Sequence, residues 1–220
     1  MIKLDKYYKF KNIETEEFEN LKWLQINKED DIFLQRSVDE YEKLKEYIKN
    51  PSNIVDLGCG LGRSSIFFKN MTPSLNDTKF YMCDFTGLDF KTKGSGNKNC
   101  GMRESTNKIP YNDMDITKEF CITNNLENID LVNLDTDRIS KLNNIDLVYS
   151  FHCVGYHWGI EESFLKYNLE NSTNENAILI FGVRKNGKKL KEPSNLGSFE
   201  LVEKVDGFQL SDYLIYENVI

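Results

Sequence analysis

One segment organises the chain: Ile54-Val55-Asp56-Leu57-Gly58-Cys59-Gly60-Leu61-Gly62-Arg63-Ser64-Ser65. Its apolar first half is typical of a strand buried in a parallel sheet. The glycines that follow permit positive φ angles and leave room for a ligand against the backbone, and the residues after Gly62 can begin a helix. The segment therefore predicts a strand, a tight turn and a helix, an arrangement that brings backbone close to a nucleotide-like ligand.

The spacing of the three glycines excludes two common nucleotide-binding motifs. The dinucleotide fingerprint G-x-G-x-x-G requires its third glycine at the position that Arg63 occupies, and no Lys-Ser or Lys-Thr pair follows to make a P-loop. The acid two residues before the first glycine, in Asp56-Leu57-Gly58-Cys59-Gly60, instead resembles motif I of the class I methyltransferases, which use S-adenosylmethionine. The alternative is an ordinary glycine-rich turn of another α/β protein. On the resemblance, five residues are expected to bind the cofactor: Asp56, Gly58, Cys59, Gly60 and Arg63.

Length and composition limit the class of protein. A chain of 220 residues with 40% hydrophobic residues fits one domain with a substantial core. The five cysteines form no C-x-x-C pair, and an odd number fits poorly with a disulfide framework, so we expect a reducing, cytoplasmic environment. The N-terminus has no signal-peptide core, and no apolar run is long enough to span a membrane. The net charge of −7 argues against a nucleic-acid partner.

A second strand is predicted from Phe80-Tyr81-Met82-Cys83, and it ends in an acid. The carboxylate of Asp84 is suited to accept hydrogen bonds from a ribose diol, as an acid in this position does in nucleotide-binding folds. We include the adjacent Phe85 in the predicted cofactor site. The alternative for Asp84 is a solvated acid at a strand end.

A third strand is predicted over Ile129–Leu134, and it is followed by Asp135. The resemblance to the methyltransferases implies that an acid here, as in their motif III, accepts the adenine amino group of the cofactor. Asp135 is preferred to Asp137 because it directly follows the strand. A helix N-cap at Thr136 or Asp137 is a chemically reasonable alternative.

The only two histidines of the chain follow a fourth predicted strand, Ile145–Phe151. Because ligands bind outside the carboxyl ends of parallel strands at the switch point, His152 and His157 are expected where a methyl acceptor would meet the donor. A histidine that titrates near neutrality can take the proton of a hydroxyl acceptor. We interpret His157 as the general base and His152 as a substrate-positioning group. The alternative is that either ring is a strand-end histidine bonded to backbone.

The run from Asp146 to Trp158 also resembles motif IV of small bacterial sugar O-methyltransferases associated with capsule and lipopolysaccharide gene sets. The positions that match are Ser150, Gly155, Tyr156, His157 and Trp158. Ser150 is included in the predicted cofactor site, and the rings of Tyr156 and Trp158 are expected to stack on the face of a sugar or base. Packing in the core is the alternative for the two aromatic side chains.

The remaining pattern predicts an α/β fold. Helices are predicted over Glu14–Trp23, Asp31–Lys49, Gly62–Asn70, Ile116–Asn125 and Glu161–Leu169, strands over Ala177–Val183, Phe199–Val205 and Tyr213–Asn218, and a loop over residues 185–197. The apolar side of the second helix is expected to hold Leu34, Val38, Tyr41, Leu44 or Lys45, and Ile48. In the third helix, Ile66, Phe67 and Phe68 are expected to face the sheet. Strands that alternate with helices and end in a hairpin match the Rossmann-like, seven-stranded, mostly parallel sheet of the class I methyltransferases, with a C-terminal antiparallel hairpin. We therefore expect an N-terminal helical cap or edge segment, residues 1–50, and a methyltransferase domain, residues 51–220.

Residues 86–115 interrupt this pattern. The stretch 92–99 is rich in glycine, lysine and asparagine and is typical of a mobile loop, whereas 109–115 could order against a ligand. Asp113 and Asp115 are scattered acids, and no group of residues has metal-ligand spacing. We therefore expect no metal, and activity that persists in a chelator.

The leading hypothesis is an enzyme that transfers a methyl group from S-adenosylmethionine to a small-molecule acceptor. The acceptor is expected to be a hydroxyl of a sugar, a nucleotide sugar or a related surface-glycan (capsule) precursor. One alternative is a nucleic-acid or protein methyltransferase, although the Asn-Pro-Pro-Tyr and Asp-Pro-Pro-Tyr motifs of base amino methylation are absent. Another is a non-catalytic subunit that binds S-adenosylmethionine beside a partner. The sequence makes no prediction of oligomeric state.

Overall fold

The computed structural model describes residues 9–11, 18–20, 32–48, 50–84, 114–134, 136–137, 139–155, 158–185, 190–207 and 211–219. The strands are β1 Lys9–Lys11, β2 Phe18–Asn20, β3 Asn53–Leu57, β4 Lys79–Asp84, β5 Ile129–Asn133, β6 Ile145–Ser150, β7 Thr173–Arg184, β8 Asn195–Leu196, β9 Phe199–Asp206 and β10 Ser211–Asn218. The α-helices are α1 Ile32–Leu44, α2 Arg63–Met71, α3 Met114–Thr123, α4 Ile160–Tyr167 and α5 Leu169–Ser172. Short 3-10 helices cover Pro73–Leu75 and Ile139–Lys141.

Within the described residues, eight strands form one sheet in the order β5-β4-β3-β6-β7-β10-β9-β8. Strands β5, β4, β3, β6 and β7 run parallel to one another, while β10 pairs antiparallel with both β7 and β9. This confirms the predicted α/β fold and its C-terminal hairpin. The eighth strand, β8, has two residues and pairs with β9, and it lies in a stretch predicted as a loop.

The central strands are apolar on both faces because helices cover the sheet on both sides. Successive residues belong to two separate core clusters, as the period of two in a strand requires. One cluster includes Val55, Leu57, Cys83, Val148, Leu179 and Phe181, and the other includes Ile54, Phe80, Met82, Leu147, Tyr149 and Ile180. Helix α2 adds Ile66 and Phe68 to the second cluster, as predicted.

The order of the strands defines where a ligand can bind. The chain leaves β3 toward β4 on one side of it and later returns to β6 on its other side, so the topological switch point lies between β3 and β6. Clefts in open α/β sheets form at such points, outside the carboxyl ends of the strands. The residues that follow β3, β4 and β6 are therefore brought to one edge of the sheet.

The N-terminal prediction is wrong in part. The segment Phe18–Asn20, expected inside a helix, is β2 and pairs antiparallel with β1. The Lys-Phe-Lys alternation of β1 suits a strand with period two better than a helical face, which accounts for the pairing. The rest of the expected helix Glu14–Trp23 lies outside the described residues.

Helix α1 is shorter than its predicted range and presents a different face. It ends at Leu44, and a turn follows before Pro51. Val38, expected on the apolar side, is 43% exposed, whereas Glu40 is fully buried. Leu44 and Ile48 are buried as predicted. The helix is therefore rotated so that a carboxylate, instead of an aliphatic side chain, faces the protein.

Side chains on both flanks of α1 fix this orientation. The ring of Tyr41 packs edge-on against Phe67 of α2, with 6.1 Å between centroids. On the other flank, Lys43 Nζ donates to the backbone carbonyl of Asp206 and the Tyr47 hydroxyl donates to the Glu203 carboxylate. Helix α1 thus bridges α2 and the β9–β10 hairpin. Across the described ranges, no helix is both long enough and apolar enough to cross a membrane.

Candidate functional site

The glycine-rich turn after β3 is held by backbone hydrogen bonds to the neighbouring strand. The amides of Gly58 and Cys59 both donate to the Cys83 carbonyl, at 2.7 and 3.1 Å. The amide of Gly62 donates to the Cys59 carbonyl at 2.8 Å, which closes the turn just before α2. All three glycines have positive φ, between 55° and 76°. The turn is therefore a rigid backbone structure that other side chains would strain.

The three glycines serve different purposes. A Cβ atom on Gly58 would lie 2.2 Å from Cys153 Cβ, and one on Gly62 would lie 2.6 Å from Met82 Cε. These two positions need glycine because the protein packs against them. Among the described residues, no atom would lie within 4 Å of a Cβ atom on Gly60. On the side of the described residues, the backbone at Gly60 is therefore open, as expected where a ligand approaches the chain.

The carboxylate of Asp84 lies beside this opening. Its Oδ2 atom accepts a hydrogen bond from the Gly60 amide at 2.8 Å. On the other side of the turn, the Thr117 hydroxyl of α3 donates to the Gly60 carbonyl at 2.9 Å. An acid next to a glycine turn suits the hydroxyls of a ribose. The residues present here fit a nucleoside cofactor.

The carboxylate of Asp56 points into the protein and not toward the opening. It is 5% exposed, and its Oδ2 atom accepts a hydrogen bond from the Ser65 hydroxyl at 2.6 Å. The Ser65 hydroxyl also pairs with the Tyr149 hydroxyl. Burial, reinforced by the charge of Asp84, raises the pKa of Asp56 to about 7 although the Ser65 hydrogen bond opposes the shift. Asp56 thus connects β3 with α2 and β6, which sequence reasoning did not foresee.

Arg63 lies at the first position of α2, and its guanidinium reaches α1. Its Nη2 atom donates to Glu40 Oε1 at 2.6 Å, and its Nη1 atom donates to the Ser37 hydroxyl at 2.8 Å. The second carboxylate oxygen of Glu40 accepts a hydrogen bond from the Ser64 hydroxyl at 2.9 Å. Burial raises the pKa of Glu40, but the charge and hydrogen bond of Arg63, with the nearby ring of His152, lower it to about 2. Sequence reasoning missed Glu40.

His152 lies two residues past the end of β6 and faces the same carboxylate. Its Nε2 atom is 3.4 Å from Glu40 Oε1, and 30% of its side chain remains exposed. Burial lowers the pKa of His152, and the carboxylate of Glu40 opposes that shift. The charges of Arg63 and Arg36 lower the pKa further. The ring is thus favoured in its neutral form at neutral pH.

Other residues expected at the site are placed as follows. The Ser150 hydroxyl is buried and accepts a hydrogen bond from the Val154 amide at 3.0 Å, which tightens the turn after β6. In the same turn the Trp158 amide donates to the Cys153 carbonyl at 3.3 Å, and the Trp158 ring is half-buried. The side chain of Cys59 is buried beside its own turn. Four predicted residues lie outside the described part of the chain: Phe85, Asp135, Tyr156 and His157.

Asp137, the acid not preferred for the adenine contact, has a local structural role. Its Oδ2 atom accepts a hydrogen bond from the backbone amide of Asn133, at 3.0 Å. Asp115, one of the scattered acids, is exposed in the first turn of α3.

Tyr213 is a polar residue of this edge that the sequence did not single out. It pairs with Gly182 of β7. Because the preceding residue of β7 pairs with Ser150, the last residue of β6, Tyr213 lies level with the end of β6. Its ring packs edge-on against Phe151, with 5.5 Å between centroids. Its hydroxyl is buried without a hydrogen-bonding partner among the described residues. Burial, and secondarily the charge of Glu40, raises the pKa of Tyr213.

Comparison with known proteins identifies the fold. No protein-family model and no curated protein matches the sequence. Among solved structures, a SAM-dependent methyltransferase from Aquifex aeolicus is similar with a TM-score of 0.57 at 12% identity, over 84% of this chain and 93% of that one. A methyltransferase from Geobacter sulfurreducens is similar with a TM-score of 0.53 at 17% identity, over 84% of this chain and 80% of that one.

A third similar structure is the N,N-8-amino-8-demethyl-D-riboflavin dimethyltransferase RosA from Streptomyces davawensis. Its TM-score is 0.57 at 9% identity, over 86% of this chain and 55% of that one. Together with the strand order and the glycine turn, these similarities give the chain the class I fold of SAM-dependent methyltransferases.

Proposed function

We propose that this chain is a methyltransferase that uses S-adenosylmethionine and acts on a small-molecule acceptor. The observation that carries the proposal is the open side of Gly60 beside the Asp84 carboxylate, at the switch point of a methyltransferase fold. When bound, S-adenosylmethionine supplies an electrophilic methyl carbon on a positively charged sulfur. The protein must hold an acceptor in line with that carbon, and such orientation can contribute a large part of the rate enhancement.

The residues around the turn have distinct proposed roles. The Asp84 carboxylate accepts hydrogen bonds from the ribose hydroxyls, and the backbone of the 58–60 turn lies along the nucleoside. Asp135 accepts the adenine amino group in this proposal, with Phe85 and Ser150 bordering the same site. The inward carboxylate of Asp56 supports the turn from below through Ser65.

The acceptor is proposed to be a hydroxyl of a sugar, a nucleotide sugar or a related surface-glycan precursor. The support is the pair of histidines after β6, since a hydroxyl must lose its proton as it attacks. The motif IV resemblance, which includes Tyr156, His157 and Trp158, supports a sugar-like acceptor. The net charge of −7 disfavours a nucleic-acid acceptor.

The cofactor is tested by a thermal-shift titration with S-adenosylhomocysteine, with NAD titrated in parallel. A ligand that binds only the native state raises the melting temperature by mass action. We expect a rise with S-adenosylhomocysteine alone. Asp84→Asn should weaken it, whereas Asp130→Asn, which changes an exposed acid on the neighbouring strand β5, should leave it intact. A rise with NAD alone, or none with S-adenosylhomocysteine, would overturn the proposed cofactor.

The acceptor class is tested by transfer of a labelled methyl group to nucleotide sugars, with duplex DNA, tRNA and unfolded protein in parallel reactions. We expect label in the sugar fraction, and its loss in His157→Gln or His152→Gln with the S-adenosylhomocysteine shift preserved. Label in a nucleic acid or protein would replace the proposed acceptor with that one.

A further inference from the structure

We propose that Glu40, carried on α1, is a positioning residue that fixes the ring of His152, and that His152 held in this way accepts the proton of the acceptor hydroxyl, the role that the sequence analysis gave to His157. The inference rests on the proposed methyl transfer and assigns its proton acceptor. It gives α1, which precedes the methyltransferase domain expected from the sequence, a direct part in the active site.

The carboxylate of Glu40 is held rigidly. Each of its oxygens accepts a hydrogen bond from α2, Oε1 from Arg63 and Oε2 from Ser64. The side chain is 0% exposed, so solvent does not compete for these bonds. In a surface ion pair the side chains can change conformation, whereas burial and the two hydrogen bonds fix the position and orientation of the Glu40 carboxylate. A fixed negative charge 3.4 Å from His152 Nε2 can therefore orient the ring.

The direction of the contact selects one tautomer of the ring. An ionised carboxylate 3.4 Å from Nε2 favours, through its negative charge, the neutral form with its proton on Nε2, because the lone pair of an unprotonated Nε2 would face that charge. The proton-accepting nitrogen is then Nδ1. The Nε2 atom is buried whereas 30% of the side chain is exposed, so the exposed part of the ring lies away from Nε2. The proposed role requires that Nδ1 belong to this exposed part of the ring.

The charged groups around His152 keep the ring ready to accept a proton. Those that act on it are Glu40 and Arg36 of α1 and Arg63 of α2. Burial and the two arginines disfavour the imidazolium before the reaction, while Glu40 stabilises the imidazolium that forms during it. Both effects suit a general base that must be neutral at the start and charged at the end.

The proposed step balances as follows. The O–H bond of the acceptor breaks, and its proton goes to His152 Nδ1. The acceptor oxygen forms a bond to the methyl carbon as the carbon–sulfur bond breaks, and the electron pair of that bond goes to sulfur. The products are the methyl ether, the neutral thioether S-adenosylhomocysteine and an imidazolium paired with Glu40.

Histidine NMR tests the positioning directly, because the chain has two histidines and His157→Gln leaves one. In that background we expect a ring with its proton on Nε2 and a pKa below the ordinary histidine value. Adding Glu40→Gln should shift the tautomer toward Nδ1–H and lower the pKa further, since the opposing carboxylate is lost. Glu42→Gln, the same change at an exposed site on the same helix, should alter neither. An unchanged tautomer and pKa in Glu40→Gln would overturn the inference.

Kinetics test the catalytic part in the chain with both histidines. Glu40→Gln should lower kcat about tenfold or more, within the range of general acid–base effects, and move the acid limb of the kcat profile to lower pH. The S-adenosylhomocysteine thermal shift should be retained. Full kcat with an unmoved acid limb would refute the inference while leaving the proposed function intact. A wild-type chain without an S-adenosylhomocysteine shift would instead refute the proposed function.

A second variant protects the test against a failure to fold. Glu40→Asp keeps the negative charge but withdraws the carboxylate by one methylene from His152 and Arg63, which both contact its Oε1 atom. Folding is checked by the melting temperature, and we expect a kcat between those of the wild type and Glu40→Gln. A wild-type kcat in Glu40→Asp, with the NMR signature unchanged, would contradict a positioning role.

Discussion

Two buried carboxylates lie at the same edge of the sheet and behave in opposite ways. Asp56, at the end of β3, is bonded to a hydroxyl, and its pKa is raised to about 7. Glu40, on α1, is bonded to an arginine and a hydroxyl, and its pKa is lowered to about 2. Burial penalises both charges, so the difference comes from the direct ion pair of Glu40 with Arg63, which Asp56 lacks, and from the negative charge of Asp84 near Asp56.

This difference separates two kinds of support for the site. The Asp56 region is a neutral network of hydroxyls and a carboxyl group beneath the glycine turn. The Glu40 region is an ionic cluster that joins α1 to α2 and to the turn after β6. A neutral network tolerates protonation of its acid, whereas an ionic cluster depends on every charge being matched.

The largest expected effect comes from removing the cation of the ionic cluster. Arg63→Leu leaves Glu40 buried beside His152 without its main counter-charge, and breaking such a pair costs about 3–5 kcal/mol. Urea denaturation at pH 7 measures this loss. Lys79→Leu, which breaks the exposed pair with Asp130, is the control, and its cost should stay below about 1 kcal/mol. Equal losses in the two variants would mean that burial does not distinguish the two ion pairs.

The next effect is a pH dependence that belongs to Asp56. Its folded-state pKa is raised from 3.8 to about 7, so its contribution to stability is full below pH 3.8 and is lost as the pH rises through 7. Asp56→Asn removes this titration. As the pH rises from 5 to 8, the free energy of unfolding of Asp56→Asn should therefore rise, relative to that of the wild type, by on the order of 2–3 kcal/mol. Parallel urea curves at the two pH values measure the gain, and a constant difference between the proteins would count against the raised pKa.

The opposite sign is expected for Glu40. Its folded-state pKa is lowered from 4.5 to about 2, so the stability that it contributes is present above pH 4.5 and is lost as the pH falls through 2. Its titration therefore leaves the interval from pH 5 to pH 8 untouched. A loss of stability as the pH rises from 5 to 8 is the signature of Asp56, because the lowered pKa of His152 in the ionic cluster makes stability rise with pH in that interval.

The two regions also differ in how far the sequence predicts them. The glycine turn could be predicted because its determinants, from Asp56 to Arg63, are contiguous and glycine spacing has a direct backbone meaning. The mostly parallel sheet followed from the alternation of strands and helices. Glu40 could not be found in this way, because its main partner Arg63 comes 23 residues later in the chain. Pattern reasoning treats a glutamate in an amphipathic helix as solvent-facing.

One signal in α1 was nevertheless available. Ser37, Glu40, Leu44 and Ile48 are all buried, and they follow one another at spacings of three or four. The predicted apolar face through Val38 competes with this buried face through Ser37 and Glu40. Because Val38 is aliphatic and Ser37 and Glu40 are polar, a hydrophobic pattern selects the face that is exposed in the structure. An arginine at the first position of the next helix, where the dipole does not favour a cation, indicates that Arg63 has an anionic partner elsewhere.

The smallest expected effect tests a third polar group at this edge, the Tyr213 hydroxyl. It is buried, has no hydrogen-bonding partner among the described residues, and is influenced by the charge of Glu40. Removing a buried hydroxyl without a partner loses no hydrogen bond and ends its desolvation cost, so Tyr213→Phe should leave the free energy of unfolding unchanged or raise it slightly. Tyr216→Phe is the matched control, because the Tyr216 hydroxyl donates to the Pro193 carbonyl at 2.8 Å. That variant should lose about 1–2 kcal/mol by leaving the buried carbonyl unpaired. If Tyr213→Phe lost as much, its hydroxyl would have a partner in the folded protein and would belong to the ionic cluster of Glu40.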